Sequence, residues 1–269
     1  MLPQPGKAIL VDNGVIADIV AETAIPAGYE QVDLGGKYIL PGLINLHVRL
    51  ASSGKPKKKP SDPVKLVRLI TSNAVTRSLG RKLVADYAKT QLLSGVTTIR
   101  TVGGIADFDT TVRDDIRSGK RIGPRILASS MAISVEGGHM AGSLAYEGAT
   151  PEEAAAYVDR IAADKPDIIK LMITGDVLDA EKVGEPGVLR MPPSLVKAAC
   201  DRAHALGFTV AAHAESPEGV KVVLVALTPL IAIQLMGLVY KLKTGKRTST
   251  GTAEIADDCD AIVDLEEGE

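Results

Sequence analysis

The sequence predicts an α/β fold in which parallel strands alternate with helices, preceded by a small antiparallel β unit. Five apolar runs between residues 43 and 213 are each linked to the next by a segment that carries helix signals. This order is typical of parallel strands joined by crossover helices. Residues 7–40 instead contain short β-type runs separated by turn residues. The composition, with 45% apolar and 24% charged residues, is that of a soluble globular protein.

The N-terminal β unit begins with a hairpin pattern. The apolar runs at residues 8–11 and 15–20 flank the turn tripeptide at residues 12–14. Two further strands are predicted at residues 31–34 and 37–40, separated by a glycine pair. Residues 251–265 read as two more short strands at the other end of the chain.

The central region predicts five strands and the helices between them. A proline in the first helical position and a capping pattern mark two helix starts, at residues 61–63 and 150–153. The predicted strands are residues 43–50, 96–101, 125–129, 167–173 and 208–213, and the predicted helical regions are 62–94, 108–117, a helix opening at 151, and 193–206.

Charge and cysteine content exclude several classes of protein. The formal net charge of −2 favours neither nucleic acid nor an anionic membrane. Cys200 and Cys259 lie far apart and form neither a disulfide framework nor a zinc pair. The first residues lack the pattern of a secretory signal, so we expect a cytoplasmic protein.

One uncharged stretch, residues 222–240, is long enough to span a bilayer and is followed by basic residues. The alternative is a buried helix followed by a buried strand, broken at Thr228-Pro229. We favour the buried interpretation because the preceding residues resemble a cytoplasmic enzyme core, and we expect no membrane association.

The candidate functional residues lie where β/α enzymes place their catalytic groups, at the carboxyl ends of the strands. His47 and Arg49 end the first predicted strand, and His139 follows the third. Lys170 lies in the fourth strand, and His213 ends the fifth.

Lys170 stands in an apolar strand, residues 168–173. Burial of an ammonium group lowers its pKa, and a neutral amine can add carbon dioxide to form a carbamate. A carbamate is an anionic oxygen ligand that can bridge two metal ions. The alternative is that Lys170 pairs with a carboxylate or extends its tip out of the strand end.

The run GKYILPGLINLHVRL at residues 36–50 closely resembles the signature that opens the barrel of the amidohydrolase superfamily. GVTTIR at 95–100 resembles its second strand, GGH at 137–139 the loop after its third, and AHA at 212–214 its fifth strand. The terminal segments at 251–255 and 260–263 resemble its returning strands. The most similar subgroup contains imidazolonepropionase-like and prolidase-like (Xaa-Pro dipeptidase-like) enzymes.

The resemblance implies a partial (β/α)8 TIM-like barrel at residues 42–250, with a β-sandwich built from residues 1–41 and 251–269. It implies a divalent metal, usually zinc, that activates water to hydrolyse the C–N bond of a small amide, cyclic amide or dipeptide. Carried over by position, the metal ligands are His47, Lys170 as a CO2-derived carbamate, and His213. His139 matches a substrate-facing position, and Lys170, His139 and Arg49 are the expected catalytic residues.

The chain departs from the family pattern in ways that keep an alternative open. Arg49 stands where a second histidine should be, and a guanidinium offers no lone pair to a metal. It can instead hold a carboxylate, either the carbamate of Lys170 or that of a substrate. No histidine follows His213 to serve as the sixth-strand ligand, and the eighth-strand aspartate has no recognisable setting.

The length of the chain also indicates that the barrel is incomplete. A closed eight-strand barrel needs about 250 residues, and only residues 214–250 remain for three strands. The alternative function is therefore a non-catalytic or shortened family member that keeps the fold for binding or association. An open barrel edge also predicts a homo-oligomer, alongside a small-molecule substrate.

Overall fold

The N-terminal unit, residues 1–42, is built on the predicted β-hairpin. The computed structural model describes residues 4–54, 62–176 and 187–226 of the chain and divides it into two units, at residues 1–42 and 43–269. Strand β1 (Lys7–Asp12) pairs antiparallel with β2 (Val15–Ala21). The two turn residues between them, Asn13 and Gly14, have φ of 48° and 76°, which is the left-handed backbone that a two-residue hairpin turn requires.

The strands predicted at residues 31–34 and 37–40 do not form. Both segments are irregular, and a turn bond from the Lys37 amide to the Leu34 carbonyl lies between them. A strand requires a neighbour that pairs with its backbone, and in the described part of this unit β1 and β2 pair only with each other. The predicted sandwich partners, residues 251–269, lie outside the described residues.

Two parallel sheets make up the core of the second unit. The first contains β3 (Leu43–Val48), β4 (Val96–Thr101) and β5 (Arg125–Leu127), in that order. The second has the order β7-β6-β8-β9, from β6 (Ala132–Ser134), β7 (Ala145–Glu147), β8 (Ile168–Met172) and β9 (Thr209–His213). All pairings in both sheets are parallel, as predicted.

The third predicted strand, residues 125–129, ends early as β5 at Leu127, and β6, which was not predicted, begins at Ala132. The segment between them joins the two sheets. The Ala128 carbonyl accepts hydrogen bonds from the amides of Asp167 (2.7 Å) and Ile168 (3.4 Å) at the start of β8. The early end has a physical cause, because the buried carboxylate of Asp109 accepts hydrogen bonds from the amides of Ser129 and Ser130, which therefore do not pair in the sheet. Strand β7 was also not predicted from the sequence.

Helices pack against the sheets in the described part of the second unit. Hydrophobic side chains of β8 at alternate positions, Ile169 and Leu171, pack in one buried cluster with residues of the last two helices. The helices are α1 (Pro63–Thr71), α2 (Ala74–Leu93), α3 (Phe108–Arg117), α4 (Pro151–Ala162) and α5 (Pro193–Ala205), and residues 217–226 are also helical.

The helical region predicted at residues 62–94 is two helices, separated at Ser72 and Asn73. The Asn73 side chain accepts the amides of Val75 and Thr76, and the Thr76 hydroxyl accepts the Asn73 amide in return. This capping box stabilises a helix start in the middle of the region. Among the described residues, no helix combines the length and apolar character needed to cross a bilayer, and residues 227–240 of the uncharged stretch lie outside them.

Gly80 of α2 packs closely against Ile70 of α1 and Phe108 of α3. A methyl group at Gly80 would overlap Ile70 and would lie 2.6 Å from Cε2 of Phe108, which is fully buried. We expect Gly80→Ala to reduce the free energy of unfolding by about 1–3 kcal/mol, because overpacking outweighs the gain of about 1 kcal/mol in helix propensity. Urea denaturation measures this change.

Ser78→Ala is the matched control for this substitution, because Ser78 is exposed on the same helix. Its effect should stay within about 0.5 kcal/mol. A Gly80→Ala protein more stable than the wild type would contradict the packing described for α2 and Phe108.

The open side of β3 is apolar. Leu43, Ile44 and Leu46 are 63%, 66% and 47% exposed, and β3 pairs only with β4 in the described part of the chain. An exposed parallel strand favours association. The expected homo-oligomer stays a prediction.

Candidate metal and substrate site

Parallel strands bring the predicted site residues to one edge of the two sheets. His47 lies in β3 with Arg49 just after it, His213 is the last residue of β9, and His139 lies in the loop after β6. Lys170 lies inside β8 on the face opposite Ile169 and Leu171, so it points away from the helix layer.

Two imidazoles and one carboxylate converge at this edge. His139, Asp176 and His213 each offer a ligand atom, and these atoms lie within 4.8 Å of one another. The rings of His139 and His213 stack with centroids 4.5 Å apart, and both residues are buried. This is a donor set that divalent metals use.

The distance between two of these donors fits a shared ion. His139 Nε2 lies 3.6 Å from Asp176 Oδ2. Two ligands that each lie about 2.1 Å from a tetrahedral metal are about 3.4 Å apart. Small side-chain movements would therefore place one ion between them.

Hydrogen bonds determine which nitrogen of each ring carries the proton. His213 Nε2 lies 3.1 Å from the Gly175 carbonyl, which can only accept, so Nε2 is the donor and Nδ1 keeps a lone pair in the neutral ring. Burial and the neighbouring His139 and Lys170 lower the pKa of His213, although the Gly175 and Glu215 contacts oppose this effect. The net effect favours the neutral ring.

Arg49 also contacts a member of this group of donors, His139. Its Nη2 lies 3.2 Å from His139 Nε2, and because a guanidinium can only donate, that nitrogen is the unprotonated acceptor. Burial lowers the pKa of Arg49, while Asp176 and Glu215 partly restore it. The Arg49 Nε group is buried and has no hydrogen-bond partner in the described structure.

Lys170 is buried, with 1% of its surface exposed. Burial, followed by the charges of Arg49 and Arg100, lowers the pKa of Lys170 to about 7. His47 is exposed overall, yet partial burial, Lys170 and Arg49 lower its pKa as well. The structure therefore brings His47, Arg49 and Lys170 into one electrostatic neighbourhood that also contains His213.

Two acidic residues of the site were missed in the sequence. Asp176 joins the metal-binding group, and Glu215 Oε1 lies 3.7 Å from His213 Nε2. Each follows a predicted strand by two or three residues, which is the position where β/α enzymes carry functional groups. A search of the strand ends for carboxylates as well as histidines would have found both. His204, by contrast, lies in α5, as expected.

Comparison with known proteins places the chain within one family. Residues 38–228 match the model of the amidohydrolase family, so the chain belongs to that family. The family resemblance drawn from the motif at residues 36–50 is confirmed.

Solved structures agree with this assignment. A candidate prolidase from Bifidobacterium longum is 34% identical with a TM-score of 0.62, and the match covers 82% of this chain and 47% of that one. A Xaa-Pro dipeptidase with bound methionine in its active site is 28% identical with a TM-score of 0.57, over 81% of this chain and 54% of that one. The chain thus spans about half the length of these structures.

A shorter match links the chain to another branch of the family. A dihydroorotase from Trichlorobacter lovleyi is 41% identical over 51 residues, which is 19% of this chain and 12% of the relative.

Proposed function

We propose that this protein hydrolyses the C–N bond of a small amide, cyclic amide or dipeptide with one divalent metal ion, zinc, held by His139, Asp176 and His213. The observation that carries the proposal is the convergence of three donors within 4.8 Å, from the buried His139 and His213 and the partly exposed Asp176. Three protein ligands and one open position form a workable catalytic zinc site. The names of the relatives, prolidase, Xaa-Pro dipeptidase and dihydroorotase, support C–N bond hydrolysis.

A zinc ion at this position would lower the pKa of a bound water and polarise the carbonyl group of the substrate. Residues of the chain itself would orient the metal ligands and accept a proton. Glu215 faces His213 and helps to orient its ring, and Gly175 fixes its tautomer. Lys170, with a pKa of about 7, can accept a proton within the site at neutral pH.

The site fits one metal ion better than two. The second metal position of the family would use His47 and a carbamate on Lys170, beside a second histidine that Arg49 replaces. A guanidinium supplies no lone pair in place of that histidine. Arg49 also contacts His139 Nε2, so an ion at the triad would have to displace it from that nitrogen. The ligand set inferred from the sequence, His47, Lys170 and His213, remains a second proposal that the next experiment separates from the first.

Asp176→Asn and His47→Ala distinguish the two ligand sets. We expect Asp176→Asn to lower zinc affinity by at least about tenfold and to remove most hydrolysis, because it deletes the anionic ligand. His47→Ala should retain about one zinc per chain. Elemental mass spectrometry of the purified protein measures zinc content, and a panel of dipeptides and cyclic amides measures hydrolysis.

His204→Ala is the matched control, since His204 lies on α5, outside the cluster. Zinc lost in His47→Ala and retained in Asp176→Asn would favour the second ligand set. A wild-type protein that binds no zinc and hydrolyses nothing would support the non-catalytic alternative, which the buried convergent donors do not favour.

A further inference from the structure

We propose that Thr174 is a positioning residue of the metal-binding triad. Its hydroxyl group joins the segment after β8, which carries Asp176, to the segment at the end of β9, which carries His213 and Glu215. The Thr174 side chain is fully buried. Its role in catalysis rests on the proposed function, whereas the hydrogen bonds that it makes do not.

The hydrogen bonds of the Thr174 hydroxyl have only one possible direction. The Glu215 amide can only donate, and it lies 3.0 Å from Thr174 Oγ1. The Gly175 carbonyl can only accept, and it lies 2.9 Å from the same oxygen. The hydroxyl therefore accepts from the segment after β9 and donates to the segment after β8, and it holds the two segments together.

The Gly175 carbonyl also accepts a hydrogen bond from the His213 ring, whose Nε2 lies 3.1 Å away. A carbonyl oxygen has two lone pairs, so it can accept from Thr174 and from His213 at the same time. The hydroxyl thus helps to fix the acceptor that selects the Nε2–H tautomer of His213. In that tautomer Nδ1 keeps the lone pair that a metal ion requires.

The backbone on both sides of Thr174 is fixed as well. The Ile173 amide donates to the His213 carbonyl at 3.1 Å, and the Gly175 amide donates to the Val188 carbonyl at 2.9 Å. The Thr174 methyl group faces Gly219, where an added Cβ would lie 2.5 Å from Cγ2. Because a β-branched side chain is also stiff at χ1, the hydroxyl is held in one position.

Both ends of this link lie next to groups of the site. Asp176 directly follows Gly175, and the Glu215 carboxylate lies 3.7 Å from His213 Nε2. The three ligand atoms of the triad lie within 4.8 Å of one another, so a shift at either end of the link would disturb their spacing. Removal of a group that orients metal ligands through hydrogen bonds typically costs about 10- to 100-fold in metal affinity or activity.

Thr174→Val removes the hydroxyl and keeps the shape of the side chain. We expect it to weaken zinc binding by about tenfold or more, because the Glu215 amide loses its acceptor and the Gly175 carbonyl loses one donor. Thr174→Ser keeps the hydroxyl and should bind zinc within about threefold of the wild type. Calorimetric titration of the chelator-treated full chain with zinc measures both affinities.

Nitrogen-15 NMR of the histidine rings in the metal-free protein at pH 8 tests the link without metal or activity. The wild type and Thr174→Ser should show His213 as the Nε2–H tautomer, and Thr174→Val should show a mixture of both tautomers. Thr110→Val is the matched control, because Thr110 is a buried threonine of α3 whose hydroxyl donates to the Asp107 carbonyl. It should change neither the zinc affinity nor the tautomer.

Unchanged zinc affinity together with an unchanged His213 tautomer in Thr174→Val would overturn the proposal. An equal loss of zinc in Thr174→Ser would overturn it too, because the effect would then belong to the methyl group that faces Gly219. If Thr174→Val does not fold, slow solvent exchange of the Thr174 hydroxyl proton in the wild type supports the link, and rapid exchange contradicts it. If the wild type binds no zinc, the tautomer still decides, so this inference and the proposed function can fail separately.

Discussion

Lys170→Met should stabilise the metal-free protein by roughly 5 kcal/mol at pH 6. The pKa of Lys170 falls from 10.5 to about 7, and each pH unit of such a difference corresponds to about 1.4 kcal/mol. Below pH 7 the folded protein must hold a buried, unpaired ammonium group, and this cost is present in full. Methionine of similar length fills the same space without a charge.

The pH dependence follows from the direction of the pKa change. Between pH 7 and pH 10.5 the unfolded chain binds a proton on Lys170 that the folded chain does not, so wild-type stability rises with pH. The advantage of Lys170→Met should therefore shrink across this range and end near pH 10.5.

Urea denaturation of both proteins at pH 6, 8 and 10, in CO2-free buffer with chelator, measures the effect. Lys89→Met is the control, and it should change stability little at any pH because Lys89 is exposed. A Lys170→Met protein that is less stable than the wild type at pH 6, or a gain that does not vary with pH, would contradict the buried unpaired lysine.

Arg49→His should raise zinc content from about one to about two equivalents per chain. The substitution places a second imidazole two residues after His47, as in the family pattern. It removes the cation beside His47 and Lys170, and it releases the lone pair of His139 Nε2, which Arg49 contacts at 3.2 Å.

Arg49→Gln separates these effects, because it removes the charge without adding a ligand. It should bind about one zinc, more tightly than the wild type. Elemental mass spectrometry after expression with zinc and bicarbonate measures both variants. Zinc content unchanged in Arg49→His would show that Arg49 is not what limits the metal count.

Local patterns in the sequence were enough for most of the fold. The turn at residues 12–14, the proline-marked starts of α1 and α4, and the alternating strand–helix order all depend on short-range rules of backbone conformation and side-chain period. The predictions failed where a distant group decides the backbone. Asp109 ends the third strand early through hydrogen bonds from the amides of Ser129 and Ser130, and such a contact does not appear in the hydrophobic periodicity of the sequence.

The candidate site was likewise only partly predictable from the sequence. The sequence by itself determined the family, the residue types at the strand ends and the replacement of a histidine by Arg49, because these are properties of a motif. Only the tertiary structure decided that Asp176 joins His139 and His213, and that Lys170 has no partner among the described residues while Arg49 contacts His139. Ligand distances, burial and the balance of charge arise when separate strands meet at one edge, and no single segment of the chain contains that information.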